Sequence, residues 1–221
     1  MKISLNGILR RIKWLTVPYL LILCICLLIK IIYTREEIYF SVNGVNNPYT
    51  DFLAPFVTDL GNGWTAVAIA AILVLFSYRK ALLVASAFAF TSLSAQIIKH
   101  IASTPRPKLY FKDQLIRIHF VKGVYMDMYD SFPSGHTVTA FTLAVLFTYW
   151  SKNKAWGILY LLIACMVGYS RMYLSEHFFE DVTAGSVLGV ILTVIWLYWL
   201  DNKKFIQAPK WQRGLLNQTI K

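Results

Sequence analysis

Residues 155–200 read AWGILYLLIACMVGYSRMYLSEHFFEDVTAGSVLGVILTVIWLYWL. Two apolar runs, 155–170 and 182–200, flank a short segment that carries Ser170-Arg171, His177 and Asp181. Apolar runs of this length belong to membrane helices, and titratable groups gathered at their junction are costly unless they are used. Working outward, comparable runs occupy 14–32, 64–78, 81–98 and 137–150. The expected fold is all-α, a bundle of six transmembrane helices. It divides into a basic N-terminus (1–13), a six-span domain (14–200) and a basic tail (201–221). A hydrophobic fraction of 57% and a mean hydropathy of +0.53 agree with a membrane protein. Only the first and last runs reach the usual span of about 20 residues. The short fourth run calls for a helix that starts earlier, within Ser131–His136.

The net charge of +11 would suggest nucleic acid in a soluble protein, but here the cations flank apolar runs. No basic recognition helix or nucleic-acid motif is present, so nucleic acid is not an expected partner. With the N-terminus inside, segments 1–13, 79–80, 151–154 and 201–221 hold 13 Lys/Arg and one acid, Asp201. The outer segments hold the other ten acids and eight Lys/Arg. The positive-inside rule therefore places both termini in the cytoplasm. Lys30, near the outer end of the first run, is close enough to snorkel. Trp14, Trp150, Trp156 and Trp199 near inner ends, with Trp64 near an outer end, fit an interfacial belt.

Cys24, Cys26 and Cys165 all fall inside apolar runs, where thiols behave as small hydrophobes, so neither disulfides nor a zinc site is indicated. The basic start followed by the run from Trp14 to Ile32 reads as a retained signal-anchor helix. Outside, 33–63 carries turn residues and an amphipathic stretch around Phe52–Leu60, suited to the interface. Residues 108–130 mix aromatics with charges and read as a lid or wall on the substrate side. The tail from Lys203 onward, with its isolated Trp211, reads as solvated or bound to headgroups.

The topology brings four fragments to one face. Lys99 ends the third span and leads to Arg106-Pro107; Pro133-Ser134-Gly135-His136 opens the fourth. Arg171 ends the fifth, and His177 and Asp181 open the sixth. Taken singly, each cation is most often an interfacial anchor, and Ser-Gly-His alone is a weak signal. Together they supply what phosphoryl transfer needs, since its transition state spreads charge over three oxygens. Arg106 and Arg171 offer planar forks of donors, and Lys99 adds a point charge. Ser134 and the Gly135 backbone sit at a helix N-terminus, where unpaired N–H groups favour an anion. His177 and Asp181, four apart, share a face if both are helical, so Asp181 orients His177 as a nucleophile. His136 is then the general acid. No metal-ligand cluster is visible, and no cofactor is expected. His100 and His119 lack such company and read as structural or surface residues.

At these residues the chain resembles the type 2 phosphatidic acid phosphatase superfamily, whose signature is Lys-x6-Arg-Pro, Pro-Ser-Gly-His and Ser-Arg-x5-His-x3-Asp. All three parts match here in order and spacing, and the resemblance spans about 64–200. It implies a metal-independent phosphatase in which the histidine matching His177 forms a phosphohistidine. The one matching His136 acts first as acid and then as base. The Lys, Arg, Ser and Gly positions hold the phosphate.

The expected activity is hydrolysis of a phosphorylated envelope lipid at the periplasmic face of a bacterial inner membrane. Candidate substrates are undecaprenyl diphosphate, phosphatidylglycerol phosphate, phosphatidic acid and lipid A. The alternatives are a phosphotransferase of the same fold, or a non-catalytic binder or transporter of phosphorylated lipid. The sequence is silent on which lipid is used and on oligomeric state.

Overall fold

The computed structural model describes residues 3–217, and every regular element among them is helical. In chain order these are α1 (Leu5–Arg11), α2 (Lys13–Ile32), α3 (Arg35–Asn43), α4 (Pro48–Asp59), α5 (Gly63–Phe76) and α6 (Tyr78–Ala102). They continue as α7 (Pro107–Tyr110), α8 (Gly135–Trp150), α9 (Trp156–Tyr173), α10 (Phe179–Leu200), α11 (Lys204–Gln207) and α12 (Pro209–Gln212). Short 3-10 turns cover Lys112–Arg117 and Leu215–Asn217.

Helix starts follow the capping residues in the sequence. Thr34 caps α3 with Glu37 answering back, Asn47 caps α4 ahead of Pro48, and Asn62 caps α5. Four helices, α2, α6, α9 and α10, are long and apolar enough to cross a membrane. A fifth span results if α4 and α5, bent by 52°, count as one. Outward-facing Val17, Leu21, Ile25, Leu28 and Ile32 on α2 are more than half exposed, an apolar strip that only lipid covers comfortably. The chain is a membrane protein.

Four of the six apolar runs lie within a helix, 64–78 runs past the end of α5 into the start of α6, and 155–170 begins one residue before α9; two of the helices depart from a simple span. α5 has only 14 residues and follows directly on the amphipathic stretch around Phe52–Leu60. That stretch is α4, which buries Ala54 and Thr58 and packs against α9. α8 has 16 residues, and nearly all of them from Thr137 to Tyr149 are buried. It is the central post, enclosed by α6, α9 and α10.

Close approach of α10 to α8 depends on two glycines one turn apart. A Cβ at Gly185 would lie 2.7 Å from the Ser134 carbonyl oxygen, and one at Gly189 the same distance from that of Val138. Small residues at this spacing let two helix backbones touch. The contact also sets register, because Ser134 N–H donates to the Asp181 carbonyl at 3.0 Å. The start of α8 is thereby fixed against the start of α10.

The tail differs from the expectation of a solvated or headgroup-bound segment. Ile206 is fully buried, and Tyr78 N–H donates to the Arg213 carbonyl at 2.8 Å. Asp201, buried at the end of α10, accepts two bonds from Arg79 (2.8 and 2.7 Å) and one from Tyr149 (2.8 Å). A buried carboxylate with an Arg fork and a phenol is well satisfied, and it holds the tail against α6 and α8. Residues 218–221 lie outside the described residues.

Candidate active site

The C-terminal ends of α4, α6 and α9, the N-terminal end of α8 and the turn before α10 meet around a cavity of about 440 Å³. Its wall includes Lys99, Arg106, Gly135, His136, Arg171 and His177. Thus six of the eight residues singled out in the sequence share one cavity. Ser134 and Asp181 stand behind it.

Local backbone turns place these groups. Ser103 adopts a left-handed conformation (φ 41°) that ends α6 just after Lys99 and sends the chain toward Arg106. Asp130 (φ 58°) lies where its carbonyl accepts from Lys99 Nζ. Ser175 (φ 59°) precedes Glu176-His177, and its hydroxyl is held by Tyr39 (2.8 Å) and Asn43 (3.1 Å). Non-glycine residues in this region are uncommon and persist where the surroundings enforce them. All three adjoin the cavity residues.

Arg106 is fixed from several sides. Its Nε donates to the Tyr129 carbonyl at 2.9 Å, and its backbone N–H to that of Met128 at 2.9 Å. One terminal nitrogen bonds Glu176, and the other lies 3.3 Å from Asp127. Arg171 donates to Thr58 Oγ at 2.8 Å and reaches Glu176 at 3.3 Å. Its Nε is buried with no protein partner. A buried N–H on a cavity-lining guanidinium is a donor suited to an anion.

His177 is not on the helix with Asp181, as the four-residue spacing suggested. α10 begins at Phe179, so His177 lies in the turn before it. Its backbone N–H, like that of Glu176, donates to the Arg171 carbonyl (3.2 and 3.0 Å). The ring is 2% exposed, with Nδ1 3.6 Å from Asp181 Oδ2, too long for a hydrogen bond. Asp181 instead accepts from Ser131 Oγ at 2.6 Å and from Phe178 N–H at 2.8 Å. Ser131 Oγ stands 3.5 Å from His177 Nδ1, so it bridges carboxylate and imidazole. The ring's Nδ1 thus faces Ser131 and Asp181. Burial first, and then the charges of Arg171, Arg106 and Lys99, hold the His177 pKa well below its ordinary 6.5. The buried surroundings therefore favour the uncharged ring.

Ser134 is the N-cap of α8 and is fully buried. Its Oγ accepts from Thr137 Oγ1 at 2.9 Å and from Thr137 N–H at 3.4 Å. The hydroxyl shapes the helix end, and the adjacent Gly135 faces the cavity. A Cβ at Gly135 would meet open space, so room is left beside the helix N-terminus for an anion.

Several neighbours carried no signal strong enough to find them by sequence. Pro55, Thr58 and Asp59 of α4 line the cavity, and so do Val124, Tyr125 and Asp127. The latter three come from the 108–130 segment. Glu176 sits inside the Ser-Arg to His interval, where spacing alone gives it no role. Ser131 lies two residues before Pro133. His119 pairs with Asp51 at 2.8 Å, a structural clasp between the 108–130 segment and α4.

A model of the PAP2 superfamily matches residues 80–205. The crystal structure of Aquifex aeolicus LpxE superposes with a TM-score of 0.65 at 26% identity, covering 74% of this chain and 94% of that one. A transmembrane PAP2 type phosphatidylglycerolphosphate phosphatase from Bacillus subtilis gives 0.62 at 25% identity, covering 87% and 99%. The undecaprenyl-diphosphatase of Sulfolobus acidocaldarius is 27% identical over 182 residues, 77% of this chain and 83% of that protein. The bacitracin transport permease protein BcrC of Bacillus licheniformis is 39% identical over 74 residues. That match takes in 34% of this chain and only 35% of the relative's length.

Proposed function

Because the chain belongs to the PAP2 superfamily, we propose that it is a metal-independent lipid phosphatase of a bacterial inner membrane. The observation that carries this reading is the meeting of Lys99, Arg106, Arg171, His136 and His177 on one cavity. Three fixed cations supply the charge stabilisation that a metal ion supplies elsewhere.

The chemistry divides into two steps. His177 Nε2 attacks phosphorus, and the bond from phosphorus to the lipid oxygen breaks as His136 gives that oxygen a proton. His136, now neutral, takes a proton from water, whose oxygen attacks the phosphohistidine. Inorganic phosphate leaves and His177 is restored. Ser131 and Asp181 hold the ring, while Lys99, Arg106, Arg171 and the Gly135 end of α8 bind the phosphoryl oxygens. Ser134 secures that helix end.

In the same reading α8 crosses as a sixth, protein-enclosed span, both termini are cytoplasmic, and the site faces the periplasm. Envelope lipids with an exposed phosphate or diphosphate are then the substrates. Undecaprenyl diphosphate, phosphatidylglycerol phosphate, phosphatidic acid and lipid A are the four to compare. A carrier function has one supporting observation, the permease name of the Bacillus licheniformis relative.

Purified protein in detergent with EDTA, assayed for phosphate release from these four lipids, tests the proposal. Release from at least one of them, undiminished by EDTA, is expected. Activity that EDTA abolishes and a divalent metal restores would overturn the metal-free mechanism. No release from any lipid, with binding retained, would select the carrier.

A further inference from the structure

Glu176 is a buried carboxylate at the centre of a site built to hold an anion. It is 3% exposed, lines the cavity, accepts a hydrogen bond from a terminal nitrogen of Arg106, and forms an ion pair with Arg171 at 3.3 Å. Its position is enforced. The left-handed turn at Ser175, locked by Tyr39 and Asn43, aims it inward, and its own N–H is tied to the Arg171 carbonyl. Arg106 comes from the segment after α6 and Arg171 from the end of α9, so this one carboxylate joins two otherwise separate walls. No part of the three-part motif requires an acid here.

A carboxylate on two guanidinium groups does two things at once. It fixes their separation and orientation, and it occupies donors that phosphate oxygens would otherwise take. We propose that Glu176 is a positioning residue that aligns Arg106 and Arg171 and competes with phosphate for their N–H groups. It thereby limits how tightly the product anion is held. The inference rests on the phosphatase reading for its meaning in turnover, but its anion-binding content stands without it. Burial raises the Glu176 pKa, with Arg171 and Arg106 opposing, as suits a carboxylate in balance with two cations.

Asp127 offers a comparison within the same site. It touches the other terminal nitrogen of Arg106 at 3.3 Å, but its side chain is 56% exposed. Water and salt screen it, so its hold on the anion site is weaker than that of Glu176.

The test is Glu176→Gln, which keeps the shape and one acceptor oxygen and removes the charge. Binding of inorganic phosphate and of tungstate to the purified protein is read by thermal shift, without turnover. Phosphate inhibition, KM and kcat are then measured on whichever lipid the wild type cleaves. Glu176→Gln should bind both anions about tenfold tighter and show a lower KM together with a lower kcat, as release slows. Asp127→Asn should move anion affinity less. Unchanged or weaker anion binding in a folded Glu176→Gln protein would overturn the proposal. If that variant is unfolded in anion-free buffer, excess phosphate should restore it by supplying the missing negative charge, and failure to do so also counts against the proposal. A wild type that cleaves no lipid removes the phosphatase reading, while the anion affinities still decide the role of Glu176.

Discussion

Ser131 donates its hydroxyl proton to Asp181 across 2.6 Å and stands 3.5 Å from His177 Nδ1, while Asp181 itself lies 3.6 Å from that ring nitrogen. Removing the hydroxyl in Ser131→Ala should lower kcat about tenfold, the worth of roughly one hydrogen bond to a charged group. Asp181→Asn should cost more, up to about four decades by comparison with triads that lose their orienting carboxylate. Phosphate-release rates of both variants, with folding checked by gel filtration in detergent, decide this. A Ser131→Ala enzyme at wild-type speed would remove serine from the relay.

His177→Ala should reduce turnover to background while the protein stays folded. In His136→Ala, a substrate with a good leaving group should still phosphorylate His177, and the intermediate should accumulate because no base activates water. Acid-labile, base-stable phosphate on the protein, detected by phosphorus NMR or radiolabel, is the expected sign. Wild-type-like rates in His177→Ala would end the nucleophile assignment.

The buried histidine also makes stability depend on pH. The His177 pKa is depressed in the folded state, so below 6.5 the unfolded chain takes up a proton that the folded chain refuses. Its contribution to stability is complete above 6.5 and is lost as pH falls toward the depressed value. Glu176 acts in the opposite sense at lower pH, because its folded pKa is raised above 4.5. The melting temperature should therefore fall between about pH 7 and about pH 5, and fall less in His177→Asn. Equal slopes in the two proteins would contradict the burial of a neutral ring.

Sidedness is open to direct measurement. Single cysteines placed within 108–130 or 151–154, with Cys24, Cys26 and Cys165 replaced, can be probed in intact spheroplasts. A membrane-impermeant thiol reagent should label the first group only. The reverse pattern would put the cavity on the cytoplasmic side.

Helix positions and six of the cavity residues were legible in the sequence, because hydropathy and motif spacing are local properties. Features set by tertiary contact were not. α8 is short for a span and carries Thr137, Thr139, Thr142 and Thr148 along it, since protein surrounds it on nearly every side. α4 reads as an interfacial helix, yet Thr58 turns inward to hold Arg171. Counting four residues from His177 to Asp181 predicts a shared helical face. The helix starts two residues later, and Ser131 fills the gap. Glu176 could not be read at all, because its meaning lies in two arginines 70 and 5 positions away.

The buried Asp201 places a practical boundary on how this protein can be handled. Hydropathy invites a cut at Leu200, where the last apolar run ends. Such a cut would strip Arg79 and Tyr149 of their common acceptor and lift Ile206 out of its socket. An unpaired, half-buried guanidinium would be left at the root of α6, the helix whose far end carries Lys99. Trimming at one end of the molecule would thus loosen the lever that sets a cation at the other. Fusion partners for purification belong beyond residue 217, after the packed tail rather than in place of it.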